Sequence, residues 1–105
     1  MIEVDKENFE KEVLQEEGLV VVDFWSPQCV PCKELMPEIV ELAKKYDKKV
    51  KFCKLNIAGN RRLAIGQKVL GLPTIAFYEG GTKIAELSND FGVQDVESKI
   101  EELTK

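Results

Sequence analysis

The sequence predicts an α/β fold in which a central mixed β-sheet is flanked by helices on both faces. Segments with apolar residues every three or four positions alternate along the chain with short β-branched runs, which is the order typical of such folds. The chain has 105 residues, of which 44% are hydrophobic and 32% are charged. This length and composition suit a single globular domain over residues 1–105.

Two helices and one strand are predicted in the first half of the chain. A helix is expected over 5–15, because Asp5 can cap its start and Gly18 suits its end. The run over 19–25, with three consecutive valines, is typical of a central parallel strand that is buried on both faces. A longer helix, from about 31 to 46, carries its apolar residues on one face.

The second half of the chain is predicted to hold strands, a short helix and a last helix. The turn sequence Glu79-Gly80-Gly81-Thr82 lies between two apolar runs and favours a β-hairpin. Four apolar residues share one face of the last helix, and the pattern also allows a short strand at the start of the chain. The strands are predicted over 49–56, over 74–78 and 83–87 in the hairpin, and over 2–4 at the start of the chain. The short helix is predicted over 61–69 and the last helix over 93–103.

The charge balance and the missing histidine exclude several classes of function. The formal net charge of −4 makes the chain a poor candidate for binding nucleic acid or anionic membranes, which need clustered basic residues. With no histidine, Ser–His and Cys–His catalysis and His-containing zinc sites are excluded. The acidic start is unlike a targeting segment, and the apolar stretch Leu19–Val22 is too short to span a membrane, so a cytoplasmic location is expected.

Cys29-Val30-Pro31-Cys32 lies where the buried strand ends and the long helix begins. Positions i and i+3 share a helix face, so the two Cα atoms fall within reach of a disulfide. Closing so small a ring removes little entropy from the unfolded chain, so the bond stabilises the folded state by only about 2 kcal/mol. Such a bond is a weak structural link and is better suited to being opened and closed.

The start of the helix also sets the reactivity of the two thiols. Free N–H groups and the positive end of the helix dipole favour a thiolate on Cys29, which is therefore the expected attacking nucleophile. Cys32 lies one turn into the helix and is the expected resolving thiol, which attacks the mixed disulfide. Pro31 suits the first helical turn, because its missing N–H needs no partner there.

Metal binding and inert thiols are the alternatives for the cysteine pair. A structural zinc site needs four ligands, whereas this chain offers one C-x-x-C motif, no histidine and only Cys53 besides. Neither a metal nor another cofactor is expected. Cys53 is predicted to be a small buried hydrophobe in its strand, with a redox-sensing role as the alternative.

Several segments together resemble the thioredoxin family in order and spacing, over nearly the whole chain. They are Asp23-Phe24-Trp25, Cys29-Val30-Pro31-Cys32-Lys33, Pro37, Lys54-Leu55-Asn56-Ile57 and Gly71-Leu72-Pro73-Thr74. The resemblance implies a thioredoxin fold and a dithiol–disulfide oxidoreductase that reduces disulfides in partner proteins. It also implies recharging by a thioredoxin reductase, and a monomer is expected.

The resemblance implies functional roles for two charged residues, Asp23 and Lys54. Asp23 shares one strand face with Val21 and Trp25, so burial would raise its pKa. The family's buried Asp implies that Asp23 is the general base for Cys32, and the family's lysine implies that Lys54 pairs with Asp23. The alternatives are a strand-end Asp that reaches water and an ordinary surface lysine.

The resemblance also implies a docking surface around the dithiol. Pro73 resembles the family's cis-proline, and a trans proline that opens a strand is the alternative. Trp25, Val30 and Pro31 together with the loop Leu72-Pro73-Thr74 are expected to bind the partner protein, partly through backbone hydrogen bonds. Trp25 as plain core is the alternative.

This chain departs from the family pattern at four positions. Gln28, Val30, Ala58 and Asn89 stand where the family commonly has an aromatic residue, a glycine, an acid and a groove glycine, respectively. These changes leave the dithiol chemistry intact and bear on the redox potential, the choice of substrate and the reductase partner. A disulfide oxidant or isomerase, a binding module with incidental cysteines and a metal-binding module remain as alternative functions.

Overall fold

The computed structural model describes all residues from Met1 to Lys105 and confirms the predicted α/β fold. Five strands and three α-helices alternate along the chain, with a short π-helical segment, Glu10–Leu14, after the first strand. The strands are β1 (Ile2–Val4), β2 (Val20–Trp25), β3 (Lys51–Asn56), β4 (Thr74–Glu79) and β5 (Thr82–Ser88), and the helices are α1 (Val30–Lys45), α2 (Arg61–Gly66) and α3 (Val93–Leu103).

The five strands form one mixed sheet in the order β1-β3-β2-β4-β5. β3 runs parallel to both β1 and β2, whereas β4 runs antiparallel to β2 and β5. β2 is thus the central strand, as its largely apolar run predicted. No helix of the structure has both the length and the apolar character needed to cross a membrane.

Two apolar cores cover the two faces of this sheet, because side chains alternate along each strand. Val20, Val22 and Phe24 face a core shared with the π-helical segment and α2. Val21 faces the other core, which is shared with α1 and α3. Asp23 has the same parity as Val21, so the carboxyl group points to the α1 side of the sheet.

The first predicted helix is wrong in length and type. Asp5 does cap a turn, because its carboxylate accepts hydrogen bonds from the N–H groups of Glu7 (2.8 Å) and Asn8 (3.2 Å). The turns that follow continue only into the five-residue π-helical segment, where the N–H of Gln15 donates to Glu10 O at 2.9 Å. The wider i→i−5 bond marks a π-helix rather than an α-helix.

The helix predicted over 61–69 is also shorter in the structure, where α2 ends at Gly66. Lys68 adopts the left-handed conformation with φ 64°, and the N–H of Val69 donates to Ala64 O at 2.9 Å. A left-handed residue of this kind ends a helix by turning the chain back over its last carbonyls. The sequence offers no glycine at this position to signal the stop.

One end of the sheet collects the loops that carry the cysteine pair. Because β2 and β3 are parallel and β4 is antiparallel to β2, the last residues of β2 and β3 lie beside the first residue of β4. The register pairs Phe24 with Thr74, and Thr74 with Ser88 at the end of β5. Segments far apart in sequence therefore meet at this end, which we call the dithiol end.

Candidate active site

A disulfide joins Cys29 and Cys32 at the start of α1, with a Cα–Cα distance of 5.3 Å. Cys29 is the N-cap residue of the helix, and its sulfur accepts a hydrogen bond from the backbone N–H of Cys32 at 3.3 Å. Cys29 is half-buried, whereas Cys32 is only 1% exposed. An incoming sulfur can therefore reach Cys29 and not Cys32.

The position of Cys29 gives its sulfur the electrostatic surroundings of a good leaving group and a good nucleophile. The first turn of α1 has no acidic residue, so nothing there opposes the positive end of the helix dipole. The hydrogen bond from the Cys32 N–H is strengthened when the sulfur carries negative charge. Pro31 occupies the first turn and removes no needed donor, since the helix begins there.

Asp23 is a buried carboxyl group without a hydrogen-bond partner. It is 1% exposed, and neither carboxyl oxygen accepts a hydrogen bond from any group of the protein. Burial raises the pKa of Asp23 from its ordinary value of 3.8 to about 7, and the positive charge of Lys54 opposes part of this rise. A carboxyl group with a pKa near neutrality can both accept and return a proton at physiological pH.

Lys54 lies opposite Asp23 in the β2–β3 register. Its amino group makes no ion pair with the Asp23 carboxylate, because both carboxyl oxygens lack a partner. The lysine instead lines a cleft of about 610 Å³ beside the carboxy-terminal end of β2, together with Trp25, Lys33, Met36, Pro37, Val40 and Glu41. Lys54 thus acts on Asp23 through its charge and not through a direct contact.

Trp25 forms part of the wall of this cleft and is half-buried. Its indole nitrogen is buried and, like the Asp23 carboxylate, has no hydrogen-bond partner. Buried polar atoms without partners are rare in folded proteins and mark this end of the sheet as specialised.

The loop before β4 contains a cis peptide bond between Leu72 and Pro73. Pro73 and Thr74 are buried, and the Thr74 hydroxyl donates to Gly71 O at 2.7 Å. The Thr74 side chain therefore holds the loop in shape from inside. The half-buried Leu72 differs, because its backbone N–H and C=O make no hydrogen bond within the chain.

Several apolar side chains are exposed to solvent, some of them next to the dithiol in sequence. Val30 is 63% exposed and Pro31 is exposed as well. Two residues that the sequence reasoning missed, Ile65 and Leu70, are 62% and 87% exposed. They line a cavity of about 310 Å³ that reaches Leu72. Solvent exposure is what identifies Ile65 and Leu70, and exposure cannot be deduced from apolar periodicity alone.

Cys53 lies away from the dithiol, in the core on the opposite face of the sheet from Asp23. It is fully buried, and burial raises the pKa of its thiol to about 11. A protonated, inaccessible thiol is a poor nucleophile, which fits the predicted role as a small hydrophobe. No group of three or more Cys, Asp or Glu side chains is arranged as metal ligands would be.

Comparison with known proteins agrees with this arrangement. The family model described as Thioredoxin matches residues 1–102. The chain is similar to the thioredoxin of Peptoclostridium acidaminophilum, with 56% identity over 90 residues that cover 86% of this chain and 82% of that protein. It is also similar to the thioredoxin of Acetoanaerobium sticklandii, with 58% identity over 90 residues that cover 86% of each chain.

Proposed function

Because the chain belongs to the thioredoxin family and is a protein dithiol–disulfide oxidoreductase, we propose that it works as a reductase of disulfides in partner proteins. It acts as a monomer with one domain over residues 1–105, and a thioredoxin reductase recharges it. A cytoplasmic location follows from the reducing role, because that compartment keeps protein thiols reduced. The observation that carries the proposal is the half-buried Cys29 joined to the buried Cys32 at the start of α1.

The reaction has two exchange steps. The Cys29 thiolate attacks one sulfur of the partner disulfide, so a Cys29–partner bond forms, the partner S–S bond breaks and the other partner sulfur leaves as a thiolate. The Cys32 thiol then gives its proton to the Asp23 carboxylate and attacks the Cys29 sulfur. The partner sulfur that was bonded to Cys29 now leaves as a thiolate, so the partner is reduced by two electrons while Cys29 and Cys32 become a disulfide.

Asp23 suits the role of proton acceptor for Cys32. Its pKa of about 7 leaves a useful fraction ionised at neutral pH, and it has no internal hydrogen bond that would need to break. Lys54 favours the ionised form through its charge. We assign Asp23 as the general base and Lys54 as the residue that tunes it.

The partner docks on the surface around Cys29. Trp25, Val30 and Pro31 supply apolar contact area, and the free backbone groups of Leu72 pair with an extended segment of the partner. Pro73 and Thr74 contribute through the shape of their loop, because their side chains are buried. Docking of this kind recognises the peptide backbone and apolar surface of the partner, so partners with many different sequences can bind.

Trapping of the mixed disulfide tests the proposal. The Cys32→Ser variant, reduced and mixed with insulin, is expected to form a covalent complex that dithiothreitol releases, because the resolving thiol is missing. Cys53→Ser is the matched control and is expected to reduce insulin at the wild-type rate without trapping it. Trapping by Cys29→Ser rather than by Cys32→Ser would reverse the assigned order of attack.

The direction of the reaction is tested by equilibrium with glutathione. A reductase is expected to hold the pair oxidised at ratios where glutathione is mostly reduced. A pair that stays mostly reduced under those conditions would identify an oxidant or isomerase instead. Full function of Cys29→Ser in cells would identify a binding module.

A further inference from the structure

Asn89 follows β5 directly and lies at the dithiol end of the sheet. It is exposed, and its backbone adopts the left-handed conformation with φ 67°. Its N–H donates to Pro73 O at 3.0 Å, which extends the β4–β5 ladder by one hydrogen bond beyond Thr74 and Ser88. The backbone of Asn89 is therefore fixed against the loop that carries the cis peptide bond.

The side chain of Asn89 lies over Gly71. A Cβ atom built on Gly71 would lie 3.2 Å from the Asn89 Oδ1 atom, which is tighter than an ordinary contact. Oδ1 is the carboxamide atom that lies against Gly71, and the carboxamide forms no hydrogen bond with any group of the chain, so its Nδ2 donor has no partner. A free donor group is thus held beside the unpaired backbone of Leu72.

We propose that Asn89 is a specificity-determining residue, whose Nδ2 group donates a hydrogen bond to a main-chain carbonyl of the bound disulfide partner. This inference rests on the proposed function, since it needs an extended partner segment along Leu72. Neighbouring strands lie about 4.8 Å apart, so a segment paired with Leu72 passes within reach of a side chain that leans over Gly71. This hydrogen bond needs a peptide carbonyl, so a small disulfide that has no peptide backbone cannot accept it.

Two substitutions separate this role from a purely structural one. Asn89→Gly keeps the left-handed conformation and removes the carboxamide. Asn89→Asp keeps the size and shape of the side chain but replaces the donor by a carboxylate oxygen. Lys68→Gly is the matched control, because Lys68 is the other non-glycine residue with a positive φ and lies outside the docking surface.

The experiment compares KM and kcat for insulin with the rate on hydroxyethyl disulfide, with dithiothreitol as electron source. Asn89→Gly is expected to raise KM for insulin about two- to tenfold, as the loss of one hydrogen bond predicts, with kcat and the rate on the small disulfide unchanged. Asn89→Asp is expected to raise KM at least as much. The Tm of Asn89→Gly is expected not to fall, since glycine tolerates this backbone conformation.

An unchanged KM for insulin in Asn89→Gly would overturn the inference, and so would an equal rise in KM in Lys68→Gly. A lower KM in Asn89→Asp would overturn the assignment of a donor. Failure of the proposed function is distinguishable from all of these results, because the wild-type protein itself would then fail to reduce insulin.

Discussion

Replacement of Asp23 by asparagine is predicted to change the pH dependence of stability. Asp23 is 1% exposed, and burial raises its pKa from 3.8 to about 7. The unfolded chain loses this proton near pH 3.8, whereas the folded protein keeps it up to about pH 7. Between these values the folded state binds one proton more, so the stability of the wild type falls as the pH rises.

The size of this loss follows from the two pKa values. At about 1.36 kcal/mol per pH unit, the interval from 3.8 to about 7 corresponds to roughly 4 kcal/mol. The asparagine side chain of the variant cannot ionise, and like protonated Asp23 it is neutral. The variant is therefore expected to match the wild type near pH 4 and to be more stable by roughly 4 kcal/mol above about pH 8.

Urea unfolding of the oxidised protein between about pH 4 and 9 measures this difference, with the fluorescence of the single tryptophan, Trp25, as the probe. The difference between the two proteins reports on Asp23, because they differ at no other position. Asp47→Asn, which makes the same replacement at an exposed site, is the matched control for the substitution itself. A difference between Asp23→Asn and the wild type that stays constant across this range would refute the reasoning from burial.

Three further predictions concern single residues. Lys54→Met is expected to raise the pKa of Asp23 above about 7, because a stabilising positive charge is lost, and the pH profile of mixed-disulfide resolution should move to higher pH. Cys53 in the native oxidised protein is expected not to react with a bulky maleimide and to react fully in urea; rapid native labelling would contradict its burial. Gly81→Ala is expected to cost about 1–3 kcal/mol of unfolding free energy in a urea titration, because Gly81 has φ 84° and an added Cβ would lie 2.9 Å from Leu14 O. No loss of stability would show that this turn relaxes freely.

Local patterns predicted most of the fold because they depend on neighbouring residues. The apolar run of β2, the one-sided helix α1 and the glycine turn before β5 each show their structure within a few positions. The first helix was predicted wrongly, because a cap at Asp5 and apolar residues four positions apart, Phe9 and Val13, also suit a single wide π-helical turn. The end of α2 was missed because a lysine, and not a glycine, takes the left-handed conformation there.

The candidate site was also predictable only in part, namely where it depends on neighbouring residues. The cysteine motif at a strand–helix junction predicted a close pair, and the apolar neighbours of Asp23 predicted its burial. The missing ion pair between Asp23 and Lys54 was not predictable, because register fixes backbone neighbours and leaves a long side chain free to turn away. The contact of Asn89 with Gly71 joins two loops distant in sequence, so no local pattern contains it.

The disulfide spans three residues inside one helical turn, and this short span has a consequence for turnover. Opening it frees no long loop and separates no pair of secondary-structure elements, because no other element is tied by this bond. The bond can therefore open and close without parting the sheet from the helices that cover it.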